Sequence, residues 1–284
     1  MDSKTAQVAR LLGLGLGCLF ALSVGGCKWD LGQAFFHPSV DERVQESLEM
    51  PWPGPVEVNP DSFRFAMFGD PQVHSDLKHL VGRFGEDVGP RGIDFFCVLG
   101  DLTQDATEEE VGVMKAALDS VGIPYYCTIG NHDLYQKEGW QRFKDNFGPG
   151  CHSVVIADKL KLIFLDTAEG AVGKNQFDWF ERELGDSTAL KIVGTHFPCY
   201  DGVTPWMGRM ASTAERNKLQ YLLKLHGVYA FVSGHIHAWR YTEVDGVLHF
   251  IVGTMSIQLD YGKNGYLLFT VVGDSVSWER VEFQ

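Results

Sequence analysis

Five apolar runs of this chain stop on glycine and are followed at once by a side chain that can hold a metal ion: Gly69-Asp70, Gly100-Asp101, Gly130-Asn131, Gly194-Thr195-His196 and Gly234-His235. Singly such endings mean little, because Asp or Asn after a strand commonly forms a turn or caps a helix. Together they say more. The first three lie about thirty residues apart, the length of one βαβ repeat, so their oxygens should emerge side by side. His235 and His237 stand two apart in strand-like sequence, which predicts both imidazoles on one face. Carboxylate, amide and imidazole donors without thiolates suit borderline divalent ions, and imidazole tilts the choice toward Mn, Fe, Zn or Co over Mg or Ca. Two such ions about 3.5–4 Å apart can acidify a bridging water and clamp the oxygens of an in-line displacement at phosphorus, with no protein nucleophile required.

The elements that must position these residues alternate. FRFAMFGD, DFFCVLGD and PYYCTIGNHD read as strands separated by helical periodicity over 75–88 and 107–121, the rhythm of βαβ units and a largely parallel sheet. KLIFLDT, LKIVGTH and VYAFVSGHIH continue it, with helices predicted over 174–184 and 213–225. After His237 the pattern changes to alternation around Asp245-Gly246 and Gly273-Asp274, which read as hairpin turns and predict a second, antiparallel sheet. The expected class is α/β, a layered α/β sandwich of two mixed β-sheets flanked by helices. In such folds ligands gather beyond the carboxyl ends of the parallel strands, where the five polar endings fall.

The blocks GDPQ (69–72), GDLTQD (100–105), GNHD (130–133), GTH ending at His196, and GHIH (234–237) resemble, in order, the signature blocks of calcineurin-like metallophosphoesterases. The resemblance runs from Phe63 to His237, and the trailing strands suit that family's second sheet. It implies a metal-dependent phosphohydrolase that cleaves a phosphomonoester or phosphodiester by attack of a metal-bridging water. It implies that Asp70, Asp101 and His237 hold one ion, and that Asp101, Asn131, His196 and His235 hold the other. His132 would stabilise the phosphoryl oxygens or protonate the leaving group, with Asp133 or a nearby carboxylate orienting it. The departure is Gln72, where most of the family has histidine. An amide can offer only a neutral oxygen or a hydrogen bond, so the first ion would be held more weakly or be of a different kind. GDPQ also resembles a variant block within the family, so the change need not abolish activity. His74 is a possible replacement ligand, although a loop position suits it better. The alternative to catalysis is a non-catalytic metal-binding recognition module on the same fold, which Gln72 alone favours.

The net charge of −13 argues against a nucleic-acid surface, which would cluster Lys and Arg. An acidic protein that handles phosphate needs local positive charge, and bound divalent ions supply it. The expected partner is a phosphorylated small molecule, lipid or protein. No G-x-S-x-G or G-x-x-x-x-G-K-[ST] block occurs, which disfavours a serine hydrolase and a P-loop enzyme. With 45% hydrophobic and 12% aromatic residues the composition is globular, and one domain is expected over 61–284.

Residues 1–26 read as a secretory signal, with Lys4 and Arg10 ahead of LLGLGLGCLFALSVGG. Val24-Gly25-Gly26-Cys27 resembles a bacterial lipobox, which implies a lipidated Cys27 and a membrane-anchored lipoprotein of the cell envelope. A plain signal would leave the protein periplasmic or extracellular. Residues 27–60, with MPWPGPVEVNP, read as anchor and extended linker. Cys97 and Cys127 lie in apolar runs and are expected as free buried thiols. The loop after His196, with Tyr200, Trp206 and Arg209, could wall a pocket, and Asp166 could line it. His37, His79, His152, His226 and His249 have no partner at ligand spacing and read as structural.

Overall fold

In β1 (Ser62–Phe68), Phe63, Phe65 and Met67 join one buried cluster while Ala66 and Phe68 join another. A strand buried on both faces belongs inside a layered α/β structure. The computed structural model describes residues 37–75, 79–186, 190–200, 208–257 and 262–283. The first sheet runs β11-β10-β1-β2-β3. In it β1, β2 (Phe95–Leu99) and β3 (Tyr125–Thr128) are parallel, while β10 (Gly265–Val272) runs antiparallel to β1 and to β11 (Ser275–Glu282). The second runs β4-β5-β6-β7-β9-β8. Its parallel centre is β5 (Leu160–Leu165), β6 (Leu190–Thr195), β7 (Ala230–Ser233) and β9 (Val247–Ile251). The antiparallel edges are β4 (His152–Ile156) and β8 (Arg240–Val244).

This is the predicted sandwich of two mixed sheets, with one correction. The trailing strands do not form a sheet of their own. The Asp245-Gly246 hairpin extends the second sheet and the Gly273-Asp274 hairpin extends the first. Each hairpin pairs locally as expected, but which open sheet edge it joins is a long-range decision that alternation does not encode.

The inner faces of the two sheets meet around Phe65, Phe95, Phe164, Phe250 and Phe269. Outside the first sheet lie α2 (Val81–Arg91), α3 (Glu108–Ser120) and α4 (Gly139–Phe147), which bury Phe84, Met114, Leu118 and Phe143. Outside the second lie α1 (Val40–Glu49), α5 (Lys174–Leu184) and α6 (Thr213–Leu225). The last two helices match their predicted bounds. α3 begins one residue late because Thr107 is its cap, accepting from Glu110 N while the Glu110 side chain reaches back. α2 starts at Val81 rather than 75. The chain before it is held elsewhere, with Gln72 N donating to Asp101 O and Val73 N to Leu102 O.

Part of the expected linker over 27–60 is also corrected. Val40–Glu49 is a helix with a complete capping box at Ser39 and Glu42, and it buries Val40, Arg43, Val44 and Ser47. Glu46 accepts from Trp140 Nε1 at 2.9 Å, and Ser47 Oγ accepts from Gly150 N at 3.1 Å. The acidic, glutamate-rich run hides this role because its binding partners lie about a hundred residues away. Cys97 and Cys127 are buried free thiols, as expected. The signal segment, Cys27 and Trp206 lie outside the described residues, and among the described ones no helix is long and apolar enough to cross a membrane.

Candidate metal centre

The ends of β1, β2 and β3 lie side by side in the first sheet, and those of β6 and β7 in the second. Two donor groups form where they converge: Asp70, Asp101 and His237, and Asp101, His196 and His235, the ligand atoms of each within 4.8 Å of one another. Asp101 belongs to both, as the resemblance implied. Asn131 joins the second group through Oδ1, 3.0 Å from His196 Nε2, and His196 Nε2 lies 3.2 Å from His235 Nδ1. His237 Nε2 lies 3.3 Å from Asp70 Oδ1.

The backbone is bent to reach this arrangement. Asp70, Gln72, Asp101, His235 and His237 all have positive φ, between 39° and 71°. Side chains other than glycine adopt that region at a cost, and such residues gather at functional sites. His235 and His237 therefore lie beyond β7 rather than in it, and each enters a different group. The strand periodicity expected to align them is not what does so. The glycines ahead of the ligands have a steric role. A Cβ on Gly100, whose φ is +80°, would meet His196 Nδ1 at 2.7 Å, and one on Gly234 would meet Asp70 Oδ2 at 2.5 Å.

Supporting contacts set the ligand orientations. His196 Nδ1 donates to Leu99 O at 2.9 Å, which leaves Nε2 with its lone pair toward the centre, the usual arrangement of a metal-binding imidazole. The Asp70 carboxylate accepts from His235 N at 3.0 Å, and Thr254 Oγ1 donates to Asp70 O. Phe197 stacks on His235 with centroids 3.7 Å apart.

The charges are far from those of solvated groups. Burial raises the Asp101 carboxyl, but His196, His132 and His235 outweigh it and hold it well below the usual carboxylate range. His196 is raised to about 9, the facing Asp101 carboxylate overcoming burial. Burial, aided by His196, pushes His235 down to about 3. Burial disfavours charge on His237 too, but its bond to Asp70 raises it.

Gln72 tests whether ions fit. The residue is 1% exposed, its Nε2 donates to Asp101 Oδ2 at 3.3 Å, and its Oε1 is buried without a hydrogen-bond partner. Leaving such an oxygen unmatched costs roughly 1–3 kcal/mol. A buried oxygen left unmatched on a side chain bonded to Asp101 suits a cation, and the carboxylate and imidazole donors of the two groups fit divalent ions.

His132 sits beside Asn131, its backbone N donating to Asp101 Oδ1 at 2.8 Å. The expected orienting role of Asp133 is corrected. Asp133 accepts from the backbone N of Leu102, Thr103 and Gly130 and from Thr103 Oγ1, tying two site loops together, and none of these contacts involves the His132 ring. Burial and then Asp101 push its carboxyl up to about 6. The His132 ring is oriented instead by the Gln104 carbonyl, 2.7 Å from Nδ1. Tyr135 packs against it, ring centroids 4.3 Å apart and planes tilted by 35°, and brings its hydroxyl to 3.4 Å from Nε2. Sequence reasoning missed both partners; a backbone carbonyl carries no residue-type signal, but the tyrosine three positions after His132 could have been noticed.

Other expected residues lie apart. His74 groups with Asp105 and Glu110 rather than with the centre, so it does not replace Gln72. Asp166 is fully buried against Arg43. Tyr200 is exposed. His37, His79, His152, His226 and His249 join no ligand group among the described residues.

Residues 63–239 match the calcineurin-like phosphoesterases. The chain belongs to that family. It is accordingly a metal-dependent phosphohydrolase of the dimetal kind. A probable cyclic nucleotide phosphodiesterase of Fibrobacter succinogenes is 22% identical over 197 residues, covering 68% of this chain and 75% of its own. A probable glycerophosphodiester phosphodiesterase of Arcobacter nitrofigilis is 26% identical, covering 64% of this chain and 71% of its own. Among solved structures, a purple acid phosphatase from yellow lupin superposes with a TM-score of 0.66 at 16% identity over 81% of this chain, which spans about half, 52%, of the lupin chain. A dimetal phosphatase from Danio rerio gives 0.59 at 13% identity over 77% of this chain and 95% of its own. At those identities the two structures establish the shared fold.

Proposed function

We propose that the chain hydrolyses small-molecule phosphodiesters. The observation that carries this reading is Asp101, a buried carboxylate shared by two donor groups. The names of the phosphodiesterase relatives support a diester over a monoester. Asp70, Gln72, Asp101 and His237 would hold one ion, and Asp101, Asn131, His196 and His235 the other. Such a pair of ions supplies positive charge to the phosphoryl oxygens and acidifies water. Mn, Fe or Zn suits the mixed oxygen and nitrogen donors.

His132 is the proton carrier in this reading. With Nδ1 committed to Gln104 O, only Nε2 can exchange a proton with the departing oxygen, and imidazole suits that work near neutral pH. The intact donor set favours catalysis over a recognition module. The test strips the protein of metal, resupplies Mn, Fe, Zn or Mg separately, and compares an aryl phosphodiester with an aryl phosphomonoester. Turnover restored by a transition metal and faster on the diester is expected. Stoichiometric ion binding with no turnover of either substrate would move the reading to recognition.

Export and anchoring through Cys27 are part of the same proposal, supported by the basic and apolar residues before it. Cys27→Ser should shift the protein from the membrane to the soluble fraction; an unchanged distribution would remove the anchor.

A further inference from the structure

α1 lies outside the stretch that matches the family, yet its Arg43 is fully buried. The guanidinium meets Asp166, equally buried, through two parallel bonds, Nε to Oδ2 at 2.7 Å and Nη2 to Oδ1 at 3.0 Å. Nη1 donates to Pro38 O at 2.6 Å and lies 3.3 Å from Glu169. Taking two charges out of water is costly, and apolar replacements often serve stability as well or better. What a bidentate buried pair contributes is one defined geometry.

That geometry leads to the metal centre. Asp166 opens the loop after β5, and its Oδ1 also accepts from Ala168 N at 3.0 Å. Gln176 grips the same residue's backbone, Oε1 accepting from Asp166 N at 2.8 Å and Nε2 donating to Asp166 O at 2.7 Å. Thr167, held between, accepts from Phe197 N through Oγ1 at 2.8 Å and meets Thr195 Oγ1 at 2.8 Å. Thr195 and Phe197 are the two chain neighbours of His196.

We propose that Arg43 is a positioning residue for the second ion: by locking Asp166 it holds Thr167 against both flanks of His196, which makes the N-terminal helix a working part of the phosphoesterase. The proposal rests on the two-ion reading above. Substitutions outside the ligand set that disturb ligand orientation typically weaken metal binding about 10–100-fold.

The test titrates the full chain, stripped of metal, with Co²⁺, following visible absorption, bound-metal analysis and circular dichroism together. Arg43→Met should keep the folded spectrum at 20 °C, leave the first ion's affinity unchanged and weaken the second about 10–100-fold. Thr167→Val keeps the ion pair and the side-chain shape, removes only the hydroxyl link, and should weaken the same ion; it decides the matter if Arg43→Met does not fold. Wild-type protein that takes up fewer than two ions would refute the two-ion reading itself. Two ions in the wild type, with the second bound as tightly in Thr167→Val, or with both ions weakened equally, would overturn the positioning role alone.

Discussion

The two donor groups share Asp101 and little else. The first adds Asp70 and His237, and with Gln72 Oε1 as proposed above it would present three oxygens and one nitrogen, the shared carboxylate included. The second adds Asn131, His196 and His235, two oxygens and two nitrogens. With Gln72 as a ligand, one fold position would present a harder and a softer site side by side, since oxygen-rich sites favour harder ions. The expected difference rests on Gln72, a buried amide whose Oε1 has no hydrogen-bond partner. The two ions of this protein are expected to differ in identity or in affinity, the first site preferring Mn or Fe over Zn.

Removing the shared member should break both groups at once. Asp101→Ala is expected to lower metal-dependent turnover by more than about a thousandfold, the scale of losing a group aimed at transition-state charge, and bound-metal analysis should find both ions weakened. Retention of near-wild-type activity would refute the bridging assignment. His132→Ala should leave both groups intact while turnover falls about 10²–10⁴-fold, the range of general acid catalysis. Loss of metal in that variant would place His132 among the ligands instead. Gln72→His should make the first group resemble the second, raising its preference for Zn over Mn about tenfold or more in competition titrations. An unchanged preference would show that Gln72 Oε1 does not ligate.

The smallest effect contrasts a buried histidine that has an acidic partner with one that lacks it. Asp101 raises His196, whereas His152, between Tyr126 and Phe164, is pushed down to about 4 by burial. Between its ordinary value near 6.5 and about 4, the unfolded chain binds a proton at His152 that the folded chain does not. Its contribution to stability is therefore fully present above about pH 6.5 and declines as pH falls, by on the order of 2–3 kcal/mol at pH 4. His152→Phe should flatten that acid limb in urea unfolding measured from pH 7 to pH 4; an unaltered slope would assign the acid sensitivity elsewhere.

Much of the centre was legible because glycine and ligand are adjacent in the chain. A glycine is needed where another ligand packs against its α-carbon, as His196 does at Gly100, Asp101 at Gly130 and Asp70 at Gly234, and that requirement writes itself into three of the five short blocks. The parallel order of β1, β2 and β3 followed from the repeat length. Asp133 was misjudged because proximity in sequence to His132 says nothing about direction: within the 3₁₀ turn His132–Leu134, Asp133 meets the Thr103 and Gly130 amides while the His132 ring meets Gln104 O.

The sequence by itself determined the fold class, the donor types and their order, since strand alternation, helix period and glycine-ligand pairs are all local properties of the chain. Only the tertiary structure decided which sheet each trailing hairpin joins, that Gln104 rather than Asp133 orients His132, and that α1 docks through Arg43 on Asp166, 123 residues away. Each of these depends on a hydrogen-bonding group meeting a distant partner. Its energy resides in the pair, and neither residue alone carries the mark of the other.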